Sequence, residues 1–149
     1  MLLSDLQAQG LPIQEAQIEA GTIIGRIEGV KVSFFAYPYP MVDTLDSWPK
    51  YDTQIASVRD LGAMKLLAIA QRGSRKDFVD IYELLQNGAS LRRMLEDFRG
   101  KFKTDPVSAL RGLTYFDDAE KEPMPEMLNT AEWPAMKRAI ERSVREVMQ

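Results

Sequence analysis

The chain reads as an α+β protein, with a small N-terminal mixed or antiparallel sheet followed by a C-terminal helical bundle. Three observations predict this. Between Ile13 and Tyr39, β-branched and aromatic residues alternate with polar ones around glycine turns. From Ser57 onward, apolar residues return at helical spacing, interrupted at Gly73-Ser74, Asn87-Gly88 and Asp105-Pro106. A length of 149 residues, 45% of them hydrophobic and 28% charged, suits one ordinary globular core. The expected division is an α/β portion over 1–57 and a helical portion over 58–149, packed as one compact unit.

Ser4 ahead of Asp5-Leu6-Gln7 predicts a short capped helix that stops at Gly10, and Pro12 prevents its continuation. Three strands follow, over 14–19, 22–28 and 30–37, with turns at Ala20-Gly21 and Glu28-Gly29 that make a meander. In the third strand Val30, Val32 and Phe34 share one face, and Lys31, Ser33 and Phe35 the other. Pro38 and Pro40 end it. Residues 41–57 read as a connection with one short edge strand over 53–56, after which Ser57 offers an N-cap.

The first long helix is expected to bury Leu61, Met64, Leu67 and Ala68, and the second Phe78, Ile81, Tyr82, Leu84 and Leu85. Ser90 starts a third helix that runs to about Phe98. Asp105-Pro106 opens a fourth, because proline is preorganised for the first helical position. Pro123 and Pro125 stiffen a connector, and a final helix over 133–148 places Met136, Ile140, Val144 and Val147 on one side.

Composition excludes several chemistries. There is no cysteine and no histidine, which removes disulfides, thiolate nucleophiles, zinc–thiolate sites and the usual general base. No run approaches the roughly 20 apolar residues of a membrane span, and no apolar leader follows Met1-Leu2-Leu3, so a cytoplasmic address without membrane contact is expected. The net charge of −3 hides a split of −4 over 1–57, +4 over 58–103 and −3 over 104–149. The basic middle favours an anionic ligand such as a nucleotide or RNA. Alternatively, Arg92, Arg93, Arg99, Lys101 and Lys103 merely solvate one helix and its end.

Within that basic stretch Lys65 and Arg72 lie seven residues apart and share a helix face, while Asp77 and Asp80 lie three apart on the next helix. Lys76 stands beside them. Two readings fit: a phosphate-neutralising nucleotide site, or ion pairs that fix the angle between two helices. Asp60 reads as a first-turn acid favourable to the helix dipole. Asp117, Asp118, Glu120 and Glu122 read as solvated acids rather than a metal site. Tyr37, Tyr39 and Trp48, interleaved with prolines, read as packing under a loop, and Arg138, Arg142 and Arg145 as one exposed helix face.

Three segments together resemble the AbiEii/AbiGii-type nucleotidyltransferase toxin family of bacterial type IV toxin–antitoxin systems. They are Gly21-Thr22-Ile23-Ile24 with the strand from Val30 to Pro40; Asp60 to Lys65 continuing through Arg72 to Asp80; and Tyr115 to Glu120 with Glu122-Pro123-Met124-Pro125. The resemblance implies a nucleotidyltransferase-like fold and, in complete relatives, magnesium and a nucleoside triphosphate whose nucleotide passes to an RNA or protein acceptor. It also implies an antitoxin protein as partner. Lys65, Arg72, Lys76, Asp77 and Asp80 fall on its nucleotide-binding positions.

The family's Gly-Gly-Ser/Thr loop and Asp-x-Asp strand do not occur in residues 1–149. The chain is therefore expected to resemble an N-terminally truncated enzyme, with no catalytic and no metal-ligating residue assigned. The alternative is a non-catalytic interaction module that binds a partner protein or itself. A sheet lacking its first strand exposes an edge, which leads us to expect a homodimer.

Overall fold

In the computed structural model, which describes residues 2–128 and 130–149, the chain forms two compact units that meet at Pro38/Tyr39. The division thus lies nineteen residues ahead of 57/58. The reason lies in the helical unit, where buried side chains of two helices hold the backbone at Pro40, Val42 and Asp43.

The first unit comprises helix α1 (Leu2–Ala8) and a three-stranded antiparallel sheet of β1 (Gln14–Glu19), β2 (Thr22–Ile27) and β3 (Val30–Phe35), in the order β1-β2-β3. The expected meander is present, with the second and third strands shorter than expected by one and two residues. Ser4 lies inside α1 rather than ahead of it. Glu28 and Gly29 both take positive φ, as a two-residue hairpin turn matched to strand twist requires. Strand β1 carries an irregularity between Gln14 and Gln17, where Glu15 also has positive φ. Gly25 faces it, and a Cβ there would sit 2.3 Å from Ile13 Cγ2 and 2.8 Å from the Gln14 carbonyl oxygen. Glycine is what lets these two strands approach.

The second unit begins with a hairpin of β4 (Asp46–Trp48) and β5 (Thr53–Ile55), joined by a 3₁₀ turn over Pro49–Tyr51. Only its second strand was legible in the sequence. Helices α2 (Val58–Gln71), α3 (Arg75–Gln86), α4 (Leu91–Phe102), α5 (Val107–Gly112) and α6 (Trp133–Met148) follow. Ser57 and Ser90 cap α2 and α4 through their hydroxyls, which accept the amides of Asp60 and Arg93. Asp105 accepts the Val107 amide at 2.9 Å and closes the start of α5. Helix α4 runs four residues beyond its expected end and stops at Lys103 in the left-handed conformation.

One core joins these helices through Leu66, Phe78, Ile81, Phe98, Leu113, Met136 and Ile140, all essentially inaccessible. Phe78, Phe116 and Trp133 pack as a ring trio with centroids 4.9–5.9 Å apart. Helix α2 departs from its expected stripe. It buries Ala63, Leu66 and Ile69 together with Asp60 and Gly62, and leaves Leu61 exposed. The buried face contains an acid and a glycine, so apolar spacing alone points to the wrong side. Gly62 makes room for Met94 of α4, whose Cγ would lie 3.0 Å from a Cβ placed there.

Trp48 and Tyr51 stack edge to face across the hairpin and Tyr39 packs on Phe102, yet Trp48 and Tyr39 stay on the surface. Among the described residues no helix is long and apolar enough to cross a membrane.

Candidate functional site

Helices α2 and α3 open alike. Each is preceded by a serine and carries an aspartate three residues later, Ser57 with Asp60 and Ser74 with Asp77. In a capping box the residue at this position points back toward the cap. Here the serine hydroxyls donate to the carboxylates, Ser57 to Asp60 at 2.8 Å and Ser74 to Asp77 at 2.7 Å. Both aspartates are fully buried. A buried carboxylate requires cationic or hydrogen-bonding partners, and each finds a different set.

Asp77 gathers the charged residues expected at the site. Its carboxylate accepts Arg72 through Nε at 2.8 Å and Nη2 at 3.1 Å, a two-pronged pairing, and Lys65 Nζ lies 3.4 Å away. Lys65 reaches Asp80 as well, at 2.5 Å. The short connection at Gly73, which takes positive φ, folds α3 back so that Arg72, at the end of α2, meets the first turn of α3. Lys65, Arg72, Asp77 and Asp80 therefore form one ion-paired constellation. Lys76 is the exception. It is exposed on α3, and its ammonium has no hydrogen bond or ion pair among the described residues.

Burial pushes the Asp77 carboxyl up, but hydrogen bonds from Arg72 and Ser74 and the charges of Arg72 and Lys65 outweigh that, so its pKa is lowered. The hydrogen bond to Asp77 raises Arg72 in turn. Both groups are charged at neutral pH. Lys65, Asp80 and Glu83 also line a groove of about 550 Å³ with Val58, Leu61, Leu84 and Asn87. It offers an apolar surface flanked by one ammonium and two carboxylates.

The second buried aspartate, Asp60, was not legible as a charge-pair residue, nor was its partner. Lys101 of α4, expected to solvate a helix end, is inaccessible and lies 2.5 Å from Asp60. Lys101 also donates to the Pro40 carbonyl at 2.7 Å, while Asp60 accepts the amides of Val42 at 2.8 Å and Asp43 at 3.2 Å. One buried pair thus ties residues 40–43 to α2 and α4. Burial raises the Asp60 pKa, and the bonds from Lys101, Val42, Ser57 and Asp43 together lower it to about 2.

A carboxyl with a lowered folded-state pKa contributes stability that is complete above its unfolded pKa and is lost as pH falls through the folded one. For Asp60, whose ordinary value is 3.8, that window lies between about pH 4 and pH 2 and is worth about 2 kcal/mol. Urea unfolding at pH 6, 4 and 2.5 is expected to show the loss. In Asp60→Asn the decline is expected to be shallower, and a slope equal to that of the wild type would contradict the assignment.

Among the described residues, Glu122, Asp118 and Glu120 after α5 each bond to an amide or an ammonium. Glu122 accepts the Arg75 amide at 2.8 Å, Asp118 pairs with Lys121 at 2.8 Å, and Glu120 pairs with Lys137. Arg75 donates to the carbonyls of Ala119 and Glu120 and lies over the Trp133 ring, so this segment is fastened to α3 and α6. The magnesium that the resemblance implies does not fit the residues present. The oxygens of Asp60 and Asp77 are taken up by ammonium, guanidinium, hydroxyl and amide donors, and among the described residues no three carboxylates converge.

The chain is 32% identical to a protein of Aquifex aeolicus (strain VF5), described as uncharacterized, over 130 residues that make up 86% of this chain. It spans 62% of the length of that relative. No solved structure matches. Residues 20–148 match the family described as nucleotidyl transferase AbiEii toxin, type IV toxin–antitoxin system, and the chain belongs to that family.

Proposed function

We propose that residues 1–149 furnish the phosphate-neutralising side of a nucleotidyltransferase toxin. In this reading Lys65 and Arg72 meet the triphosphate of a nucleoside triphosphate. Asp77 and Asp80 hold those cations in place, and Lys76 is an additional exposed cation beside them. The observation that carries the reading is the Lys65 ammonium, held between a buried and a half-exposed aspartate on an open groove.

In the whole protein the nucleotide would pass to an RNA or protein acceptor, with a bond forming from the α-phosphorus to an acceptor oxygen as pyrophosphate leaves. The 149 residues, which contain no Gly-Gly-Ser/Thr loop and no Asp-x-Asp pair, bind nucleotide but do not transfer it. Thermal unfolding with millimolar magnesium nucleoside triphosphate tests this. A rise of several degrees is expected, abolished in Lys65→Ala. No rise with any nucleotide would refute it.

The same reading makes an antitoxin protein the partner and the cytoplasm the setting. It also includes self-association through β1, an edge strand with all six residues exposed. Light scattering is expected to give about twice the 16.9 kDa chain mass. A stable monomer would remove this element.

A further inference from the structure

We infer a second anion subsite on the far side of Arg72, formed with Arg111, Ser108 and Tyr115, that takes the phosphate and base of one nucleotide unit. The inference rests on the nucleotide reading of Arg72 given above.

The subsite is a groove of about 560 Å³ between the end of α2, helix α5 and the turn that follows it. Gly112 brings these elements together. A Cβ at that position would lie 2.9 Å from Ile69 Cγ2 and 3.0 Å from the Ile69 carbonyl oxygen, so α5 packs on α2 at Ile69 because position 112 contributes no side chain. This close approach sets Arg111 and Arg72 on one groove. Arg72 uses Nε and Nη2 on Asp77, and its side chain is 58% exposed. Nη1 has no hydrogen-bond partner among the described residues, and the charge of Glu122 also acts on this guanidinium.

Arg111 has neither a hydrogen bond nor an ion pair for its guanidinium among the described residues, although its helix is closed by backbone bonds at Arg111 and Gly112. Of the carbonyls at the ends of α2 and α5, Ala68 accepts the amides of Arg72 and Gly73, Arg111 that of Thr114 and Gly112 that of Tyr115, while those of Ile69, Ala70 and Gln71 accept no amide among the described residues. The two guanidinium groups are the cationic part of the groove. Asp118 is the acid that lines it, and Lys121 neutralises that charge at 2.8 Å. Two guanidinium groups with open donors match a phosphate. The exposed Tyr115 ring beside them supplies a stacking face for a base.

A phosphate with an adjoining base comes either from a free nucleotide or from a nucleic-acid strand, and titration with two probes separates them. Magnesium ATP and a fluorescein-labelled oligouridylate are titrated into the full chain and into Arg111→Gln, Tyr115→Leu, Lys65→Ala and, as a control on an unrelated groove, Arg92→Gln. Arg111 and Tyr115 are exposed, so their variants are expected to unfold at the wild-type temperature.

Arg111→Gln is expected to weaken binding about tenfold, and to lower the slope of log Kd against log salt by about 0.7 if a strand is bound. Tyr115→Leu is expected to weaken it about fivefold or more. An effect on oligouridylate alone assigns the subsite to a strand, and an effect on ATP assigns it to the free nucleotide. Wild-type affinity of both variants for both probes would overturn the inference, as would an equal loss in Arg92→Gln. Loss in Arg111→Gln with none in Lys65→Ala would leave the subsite standing and refute the Lys65 reading instead.

Discussion

Lys101→Met is expected to destabilise the helical unit by about 3–5 kcal/mol, because it leaves the Asp60 carboxylate buried with its cation gone. The side chains match in length, so little of the loss comes from packing. What remains around Asp60 is the Ser57 hydroxyl and the amides of Val42 and Asp43, which are too few to hold an inaccessible charge. The double variant Asp60→Asn/Lys101→Met is expected to recover most of the loss, since a neutral amide needs no counter-ion. Because a domain of this size has about 5–15 kcal/mol in all, the single variant should lower the urea midpoint sharply. Amide exchange at Val42 and Asp43 should accelerate with it. A loss below about 1 kcal/mol would show that the pair is not buried as described.

Asp77→Asn is expected to cost about 2–3 kcal/mol and to abolish the nucleotide-dependent rise in unfolding temperature. The change keeps the shape of the side chain and removes the charge that Arg72 and Lys65 share, and hydrogen bonds to charged groups are worth about 1.5–3 kcal/mol each. Asp80→Asn serves as the comparison. Asp80 binds the same ammonium but is 45% exposed, so its loss is expected to cost less than about 1 kcal/mol of stability. Equal costs for the two variants, read by denaturant unfolding, would mean that burial does not set the difference between them.

These two aspartates also show where sequence reasoning reaches and where it stops. The constellation around Asp77 is legible because its members are close in the chain: Lys65 and Arg72 by helical periodicity, Asp77 and Asp80 by the next helix turn, the two pairs joined by the Gly73 connection. The sequence leaves open the choice between ion pairs and a ligand site; the structure shows the ion-pair network, and Lys65 and Asp80 border a groove.

Asp60 reads correctly as a first-turn residue of α2, but its partner Lys101 is 41 positions away, and no local spacing encodes that pairing. The shared Ser-x-x-Asp opening of α2 and α3 is the signal that could have marked Asp60 as buried. Likewise, a stripe drawn through Leu61, Met64, Leu67 and Ala68 follows hydrophobicity, whereas the helix turns its acid and its glycine inward. The three strands of the sheet and the ends of α6 were legible to within two residues because alternation and amphipathic spacing are strong there. Asp46–Trp48 was not, because it opens on Asp-Ser, whereas Thr53–Ile55 carries a β-branched residue at each end.

The most direct test of the account is an amide-resolved NMR titration of the 149-residue chain with magnesium nucleoside triphosphate. The account predicts saturable shifts centred on Lys65, Arg72, Asp77 and Asp80, absent in Lys65→Ala. Saturable shifts confined to other residues, or none at millimolar nucleotide, would contradict it.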